Sequence, residues 1–374
     1  MGAPVIRRHA LAELVASQAQ PVGVLAPRRA PYASLNVVRV VLAFLVLGYH
    51  AGGTIALDKY FSIATFDHLL GFAGNRVAFF FVLSGFVMKL AYGKYIGHID
   101  KCRPYLWRRF VRVFPTYWVV LLMVVIASMF LPNGMAAVPG DFWSILKMLL
   151  LIPQSHGTGG PHGAPLLIVA WTMHYEIVFY LVLGAWIASR VLGATISLLL
   201  VVNAADCASG GCGPYREFLS GLPMAYFVVG VAAAWAVKRL PALPAAMPVM
   251  WLALAGYVLI ALAPQLSDGQ WVWPHSGLLS VGLAGVILVC LVNAEEARGP
   301  RISSAWVQRL SDASYAMYLL HFPIISLVCK LMMLAGLQGV VGATLALVLS
   351  FVVSIAAALA FNVYIERRLV AWLK

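Results

Sequence analysis

Residues 35–57, LNVVRVVLAFLVLGYHAGGTIAL, form an apolar stretch long enough to cross a membrane as a helix, and they decide the fold. The stretch contains two residues that are costly in hydrocarbon, Arg39 and His50. They are eleven positions apart, which places them about 20° from eclipsed on one helix face and about 16 Å apart along the helix axis. A cation near one membrane surface and an imidazole at mid-depth are therefore predicted to face the same partners.

The composition predicts an integral membrane protein. Of the 374 residues, 62% are hydrophobic and only 10% are charged, whereas a soluble domain carries about 25% charged residues. The net charge of +13 would otherwise suggest a nucleic-acid-binding protein. In a protein with many spans, the same charge is typical of cytoplasmic loops rich in Lys and Arg, so nucleic acid is excluded as a partner.

The fold class predicted from these patterns is an all-α polytopic membrane protein with about ten transmembrane helices. A further apolar segment, residues 142–152, is too short to span and is interpreted as a re-entrant or interfacial piece. The ten predicted spans are 35–57, 71–90, 111–131, 165–188, 191–203, 217–237, 245–263, 277–293, 313–335 and 339–363.

The distribution of positive charge predicts the orientation of these spans. With both termini cytoplasmic, 21 of the 26 Lys and Arg residues fall on the cytoplasmic side. Residues 1–32 carry Arg7, Arg8, Arg28 and Arg29 without the apolar core of a signal peptide, so they are interpreted as a basic, disordered cytoplasmic arm. Residues 33–374 are interpreted as a single transmembrane domain.

Two cysteines, Cys207 and Cys212, fall in a Gly-rich segment predicted to lie outside the membrane. An extracytoplasmic position permits a disulfide between them, which we favour over two free thiols.

Arginines dominate a second candidate feature, the run CRPYLWRRFVRVFPTYW at residues 102–118. The positive-inside bias explains the charge but not the preference for Arg over Lys in Arg108, Arg109 and Arg112. Guanidinium groups suit bidentate phosphate binding. The run therefore suggests a phosphorylated cytosolic ligand.

A carboxylate, Glu176, is predicted at mid-membrane depth in the segment AWTMHYEIVFY, residues 170–180. An isolated glutamate there suits a proton relay or cation site of a transporter. A glutamate at the depth of His50 instead suggests an acid/base couple in which the carboxylate orients the imidazole.

Two further segments combine small or polar residues with aromatic ones. In FFFVLSGFVM, residues 79–88, Ser84 and Gly85 fall at mid-span and are interpreted as close helix contacts. In SDASYAMYLLHFPI, residues 311–324, Tyr318 and His321 are neighbours on one helix face. A structural hydrogen-bonding role and a direct role in chemistry both remain open for this pair.

Taken together, these segments resemble the membrane acyltransferase-3 family, bacterial proteins that O-acylate cell-surface carbohydrates. The resemblance extends from about residue 32 to 370 and rests on six motifs in order. They are R-x10-H (Arg39, His50), FFxxSGF (Phe80 to Phe86), RxxR…P (Arg109, Arg112, Pro115), W-T-x-x-x-E (Trp171, Thr172, Glu176), SYxxYLxH (Ser314 to His321) and IER (Ile365 to Arg367).

The resemblance implies a donor and an acceptor. An acyl-CoA, most often acetyl-CoA, is bound from the cytoplasm, and a glycan hydroxyl receives the acyl group in an O-acetylation reaction. No permanently bound cofactor and no metal are implied. One departure concerns substrate details, because many members carry an acidic residue where this chain has Ala78.

Residue roles follow from the same resemblance. His50 and Glu176 fall on the catalytic positions, with His50 as general base or as acyl carrier. The acyl-CoA phosphates are expected on Arg39, Arg109 and Arg112. The supporting positions are Ser84, Trp171, Tyr318 and His321.

Two alternative functions remain at this stage. Intramembrane His and Glu also build proton-coupled transporters, although the sequence has no internal repeat. A non-catalytic subunit of an envelope-glycan assembly complex is the third hypothesis. In each case the expected location is the bacterial inner membrane, and the expected partners include the lipid bilayer.

Overall fold

The computed structural model describes residues 32–130, 139–154, 164, 166–241, 243–267, 276–299 and 304–373. The predicted arm, residues 1–32, lies outside these ranges except for Tyr32. Within the described ranges the chain is helical and contains no strand, which confirms the predicted all-α class.

The described helices are numbered here in chain order. In addition, a 3-10 turn spans Gly71–Asn75 and a π-helical segment spans Asn362–Glu366. The bounds are α1 Ala33–Ile55, α2 Thr65–Leu70, α3 Arg76–Tyr92, α4 Cys102–Phe130, α5 Phe142–Leu149, α6 Trp171–Ala188, α7 Arg190–Ser209, α8 Pro214–Leu219, α9 Leu222–Arg239, α10 Ala246–Leu266, α11 Ser276–Arg298, α12 Ala305–Leu334, α13 Gly339–Phe361 and α14 Arg367–Trp372.

Ten helical stretches of the described chain are long and apolar enough to cross a membrane. Each overlaps one of the ten predicted segments, so the predicted number of spans is confirmed. An even number of crossings leaves both ends of the domain on one side of the membrane. That this side is the cytoplasm rests on the charge distribution and stays a prediction.

The short segment predicted at 142–152 forms α5, which has eight residues and cannot cross a ~30 Å hydrocarbon core. Asp141 accepts a hydrogen bond from the backbone N–H of Ser144 and so caps its N-terminus. The C-terminal carbonyls of α5 accept hydrogen bonds from Tyr117 and Trp118 of α4. This fixes α5 against the side of a spanning helix.

The first helix is anchored at its N-terminus and packs on α12. Both carboxylate oxygens of Glu295, at the end of α11, accept hydrogen bonds from the backbone N–H groups of Ala33 and Ser34, at 2.7 and 2.9 Å. A carboxylate at this position satisfies free N–H groups and complements the helix dipole. The cap sets the register of α1 against its neighbours, and with it the positions of Arg39 and His50.

Helices α3 and α9 approach each other through glycines. A Cβ added to Gly85 would lie 2.2 Å from the carbonyl oxygen of Phe227, and one added to Gly230 would lie 2.0 Å from that of Val82. The predicted close contact at Gly85 is therefore confirmed, and its physical basis is the absence of a side chain.

Helix α7 is peripheral, because Gly193 is the only one of its residues that is buried. Cys207, near its C-terminus, forms the predicted disulfide with Cys212. Gly210 and Gly211 lie between them with φ angles of +127° and +73°. Glycine adopts these angles without steric cost, which allows the turn that closes the disulfide loop.

Candidate active site

Arg39 and His50 do lie on one face of α1, and both are directed at α12. The Nη1 atom of Arg39 donates a long hydrogen bond, 3.4 Å, to the hydroxyl of Ser311. The imidazole of His50 lies 5.3 Å from that of His321 and 5.6 Å from the ring of Phe322, measured between centroids. The predicted face is confirmed, and α12 is its partner. Two groups of functional side chains form along it, one around each residue.

The group around His50 is built from α1, α3 and α12. The Nη2 atom of Arg76 lies 3.1 Å from Nε2 of His50, and the guanidinium stacks 3.7 Å from the centre of the Tyr49 ring. Because a guanidinium only donates hydrogen bonds, Nε2 of His50 is the acceptor in this pair and the imidazole proton lies on Nδ1. The basic lone pair of His50 therefore points at Arg76.

Tyr318 joins this group to the start of α6. Its hydroxyl lies 2.6 Å from that of Thr172 and donates to the carbonyl oxygen of Val169 at 2.7 Å. Its ring lies 5.8 Å from the imidazole of His321, one turn along α12. Trp171, the other supporting residue from α6, contacts the rings of Phe81 and Tyr175 rather than His50.

His321 is fully buried, and its Nδ1 atom lies 3.1 Å from the carbonyl oxygen of Met317. Its Nε2 atom is also buried and has no hydrogen-bond partner among the described residues. Ser84 is half-buried on α3, beside the glycine contact described above. No hydrogen bond links Ser84 to the residues around His50 in the described part of the chain.

The group around Arg39 brings together the three predicted donor-binding arginines. Arg39 lies within electrostatic reach of Arg112 and of Glu176. Arg109 donates to the hydroxyl of Tyr92 at 2.9 Å and lies 5.5 Å from the ring centre of Tyr180. Arginines from the first and third spans are thus held at one end of the helix face, about 16 Å from His50 by the helix rise.

Glu176 belongs to this second group and does not contact His50. Its carboxylate accepts a short hydrogen bond from Tyr180, one turn further along α6. The predicted direct support of the imidazole by Glu176 is therefore not observed. Glu176 lies with the arginines near Arg39, at the opposite end of the α1 face from His50, so the predicted common depth of Glu176 and His50 is not observed either.

A continuous chain of hydrogen bonds connects Arg39 to Arg112 through residues of α1, α12, the π-helical segment and α14. Each donor–acceptor distance in it lies between 2.7 and 3.4 Å. From Arg39 the members are Ser311, Asn36, Gln308, Asp312, Arg367, Asn362, Glu366 and Arg112.

Two residues of the candidate site were not identified from the sequence: Arg76, which contacts His50, and Glu366, which pairs with Arg112. Arg76 lies 26 positions from His50, on another span, so no same-helix spacing connects them. The apolar context offered one signal for Arg76, because an arginine inside a predicted span needs a partner. Glu366 is only 2% exposed and forms a 2.7 Å ion pair with Arg112; it lies within the IER motif.

Comparison with known proteins is consistent with this geometry. Residues 32–363 match the acyltransferase domain family. The chain is 27% identical over 285 residues to the exopolysaccharide production protein ExoZ of Rhizobium meliloti (strain 1021), which covers 72% of this chain and 81% of ExoZ. It is 26% identical over 332 residues to the acyltransferase MdmB of Streptomyces mycarofaciens, covering 80% of each chain. No solved structure matches the chain.

Proposed function

Because the chain belongs to the membrane acyltransferase-3 family and is a multi-pass membrane acyltransferase, we propose that it transfers an acetyl group from acetyl-CoA to a hydroxyl of a cell-surface or lipid-linked carbohydrate. The observation that carries this proposal is the α1 face, with a cluster of arginines at one end and an imidazole at the other. The name of ExoZ, a protein of exopolysaccharide production, supports a carbohydrate acceptor.

The arginine end suits the phosphates of a CoA donor. Among the described residues Arg39 has a single long hydrogen bond, and the side chain of Arg112 is 40% exposed, so both have N–H groups to offer. Glu176 lies beside them, where we propose that it holds the arginines in place rather than acting on His50. In a bacterial inner membrane, with both termini of the protein in the cytoplasm, the arginine end of the α1 face is directed at the cytoplasmic pool of acyl-CoA.

The imidazole end suits acyl transfer in either of two ways. As a general base, Nε2 of His50 takes the proton of the acceptor hydroxyl as the oxygen attacks the thioester carbonyl. As an acyl carrier, the same nitrogen attacks the thioester and then passes the acyl group to the hydroxyl. The helix face spans about 16 Å between the two ends, a separation that an extended pantetheine arm is suited to bridge.

The experiment uses the purified full-length protein, radiolabelled acetyl-CoA and membranes from a strain lacking the gene, which supply the acceptor. We expect His50→Ala to lower label transfer to the glycan fraction by at least about 10²-fold, the scale of general acid–base catalysis. Arg39→Ala is expected to raise the KM for acetyl-CoA with a smaller effect on kcat, because it binds the donor before and during reaction.

Full transfer by His50→Ala would overturn the proposal, and an unchanged KM in Arg39→Ala would remove the phosphate role. Omitting the membranes separates the two chemistries of His50. Label that stays on the denatured protein, and is absent from His50→Ala, indicates an acyl carrier, whereas its absence in the wild type indicates a general base.

A further inference from the structure

Arg76 is a buried cation at the centre of the His50 group. Its side chain belongs to the first turn of α3, and the residue is only 5% exposed. Nη1 donates to the carbonyl oxygens of Ala73 and Gly74, at 3.0 and 3.3 Å, and Nη2 donates to His50. The turn before α3 therefore positions the guanidinium beside the imidazole.

No carboxylate in the described part of the chain neutralises this guanidinium. None of the ion pairs found there includes Arg76. Its Nε atom is buried and has no hydrogen-bond partner among the described residues. A buried charge is costly unless it is paired, so a structural cap on two carbonyl groups does not by itself account for an arginine here. The surroundings of Arg76 therefore suit an anionic ligand.

We propose that this anion is the oxygen that becomes negatively charged during acyl transfer, so that Arg76 is the oxyanion-binding residue of the reaction at His50. The inference rests on the proposed function, because it takes His50 as the place where the acyl group is transferred. Donors aimed at developing charge in a water-poor site are the largest single contribution in many acyl-transfer enzymes.

In the general-base route, the acceptor oxygen bonds to the thioester carbon as its proton moves to Nε2 of His50. The π electron pair of the carbonyl moves onto the carbonyl oxygen, whose negative charge Arg76 binds. The pair then returns to re-form the carbonyl, the carbon–sulfur bond breaks, and the leaving thiolate takes the proton from His50. The products are the acyl ester and free CoA thiol, with His50 and Arg76 regenerated.

The contact between Arg76 and His50 fits this sequence of steps. In the structure, Nη2 of Arg76 donates a hydrogen bond to the lone pair on Nε2 of His50. In the proposed reaction, Nε2 is the atom that receives the hydroxyl proton. When the acceptor hydroxyl donates to that lone pair instead, the Nη2 N–H of Arg76 becomes free to donate to the carbonyl oxygen of the thioester. The stacking on Tyr49 keeps the guanidinium plane in place during this exchange.

The test is the kinetic effect of Arg76→Gln in the labelled acetyl-CoA assay, with acceptor membranes at saturation. We expect kcat to fall by about 10²- to 10³-fold, the range for loss of an oxyanion donor, while the KM for acetyl-CoA stays within about twofold. The matched control is Arg216→Gln, which removes an exposed arginine paired with Asp206 and should leave kcat unchanged.

Because Arg76 also holds the turn at Ala73 and Gly74, a second variant leaves those contacts intact. Tyr49→Leu removes the stacking surface of the guanidinium, and we expect it to lower kcat by about tenfold through misplacement of Arg76, again without a change in KM. Size-exclusion elution confirms that each variant is folded.

The inference is overturned if Arg76→Gln keeps the wild-type kcat, or if it raises the KM for membranes while kcat recovers at saturation, since Arg76 would then bind the acceptor. If Arg76→Gln fails to fold, an unchanged kcat in Tyr49→Leu overturns it. An active His50→Ala would contradict the proposed function itself, whereas an inactive His50→Ala beside a fully active Arg76 variant would remove only the role of Arg76.

Discussion

At the scale of single residues, the Arg112–Glu366 ion pair is unevenly exposed, and this predicts an uneven response to mutation. The carboxylate of Glu366 is 2% exposed, whereas the side chain of Arg112 is 40% exposed. Among the described residues, Arg112→Ala leaves the buried carboxylate of Glu366 with Asn362 as its remaining hydrogen-bond donor, at 2.8 Å. We expect this change to lower the free energy of unfolding by about 3 kcal/mol, the cost of breaking a buried pair on one side.

Denaturant titration of the purified protein in detergent micelles measures this loss. Adding Glu366→Gln to Arg112→Ala should restore most of the stability, because it removes the unpaired charge. The control is Arg216→Ala, which breaks an ion pair with Asp206 that is exposed on both sides and should cost below about 1 kcal/mol. Equal losses for the two arginine variants would contradict the burial argument.

Residue spacing within one helix could be predicted from the sequence, and contacts between helices could not. The eleven-residue spacing placed Arg39 and His50 on one face, which the contacts with Ser311 and His321 confirm. The predicted contact of His50 with Glu176 was wrong, because counting residues along α6 does not specify which end of the α1 face its side chains meet. Arg76 comes from a different helix, so periodicity carries no information about its approach to His50.

At the scale of helices, the contact between α3 and α9 depends on two glycines. A methyl group at Gly85 or Gly230 would overlap a backbone carbonyl of the partner helix, at 2.2 or 2.0 Å. We expect Gly85→Ala and Gly230→Ala to lower the free energy of unfolding by about 1–3 kcal/mol or more, since backbone cannot yield as a flexible side chain can. Denaturant titration in detergent micelles measures this loss of stability.

Gly282, on α11, is the matched control because a methyl group there meets no atom within 4 Å. Gly282→Ala is expected to be neutral or slightly stabilising, because alanine favours the helix. A loss in Gly282→Ala equal to that in Gly85→Ala would show that the glycines act through something other than close packing.

The existence of the helices was easier to predict than their bounds. Apolar length identified all ten spans, including the fifth, predicted at 191–203 and found as Arg190–Ser209. The helix of the third span, α4, begins at Cys102, whereas the span was predicted from residue 111. Its first turns carry arginines, which lower the local hydropathy without interrupting the helix. Charged residues at a membrane surface can still be helical. Hydropathy therefore predicts where the chain enters the membrane and not where the helix begins.

At the scale of the whole molecule, the disulfide tests the predicted orientation. If both termini are cytoplasmic, Cys207 and Cys212 lie outside the membrane, where disulfides persist. In intact cells of a Gram-negative host, a membrane-impermeant maleimide should label them only after a membrane-impermeant reductant has been added. Cys207→Ser/Cys212→Ser assigns the label.

The control for this measurement is Lys94→Cys, an exposed position on the predicted cytoplasmic side. It should react only after the cells are lysed. Labelling of Lys94→Cys in intact cells, with Cys207 and Cys212 protected, would reverse the orientation and would move the arginine cluster away from cytosolic acyl-CoA.

The hydrogen-bond chain from Arg39 to Arg112 has a consequence for biosynthesis. The two arginines at its ends, Arg39 and Arg112, lie in the first and third spans, whereas Glu366, the ion-pair partner of Arg112, follows the last. Arg112 is therefore synthesised long before its counterion, Glu366. Until the π-helical segment has been synthesised, a nascent chain holds Arg112 without its ion-pair partner Glu366. The arginine cluster is thus complete only when translation of the last span is complete.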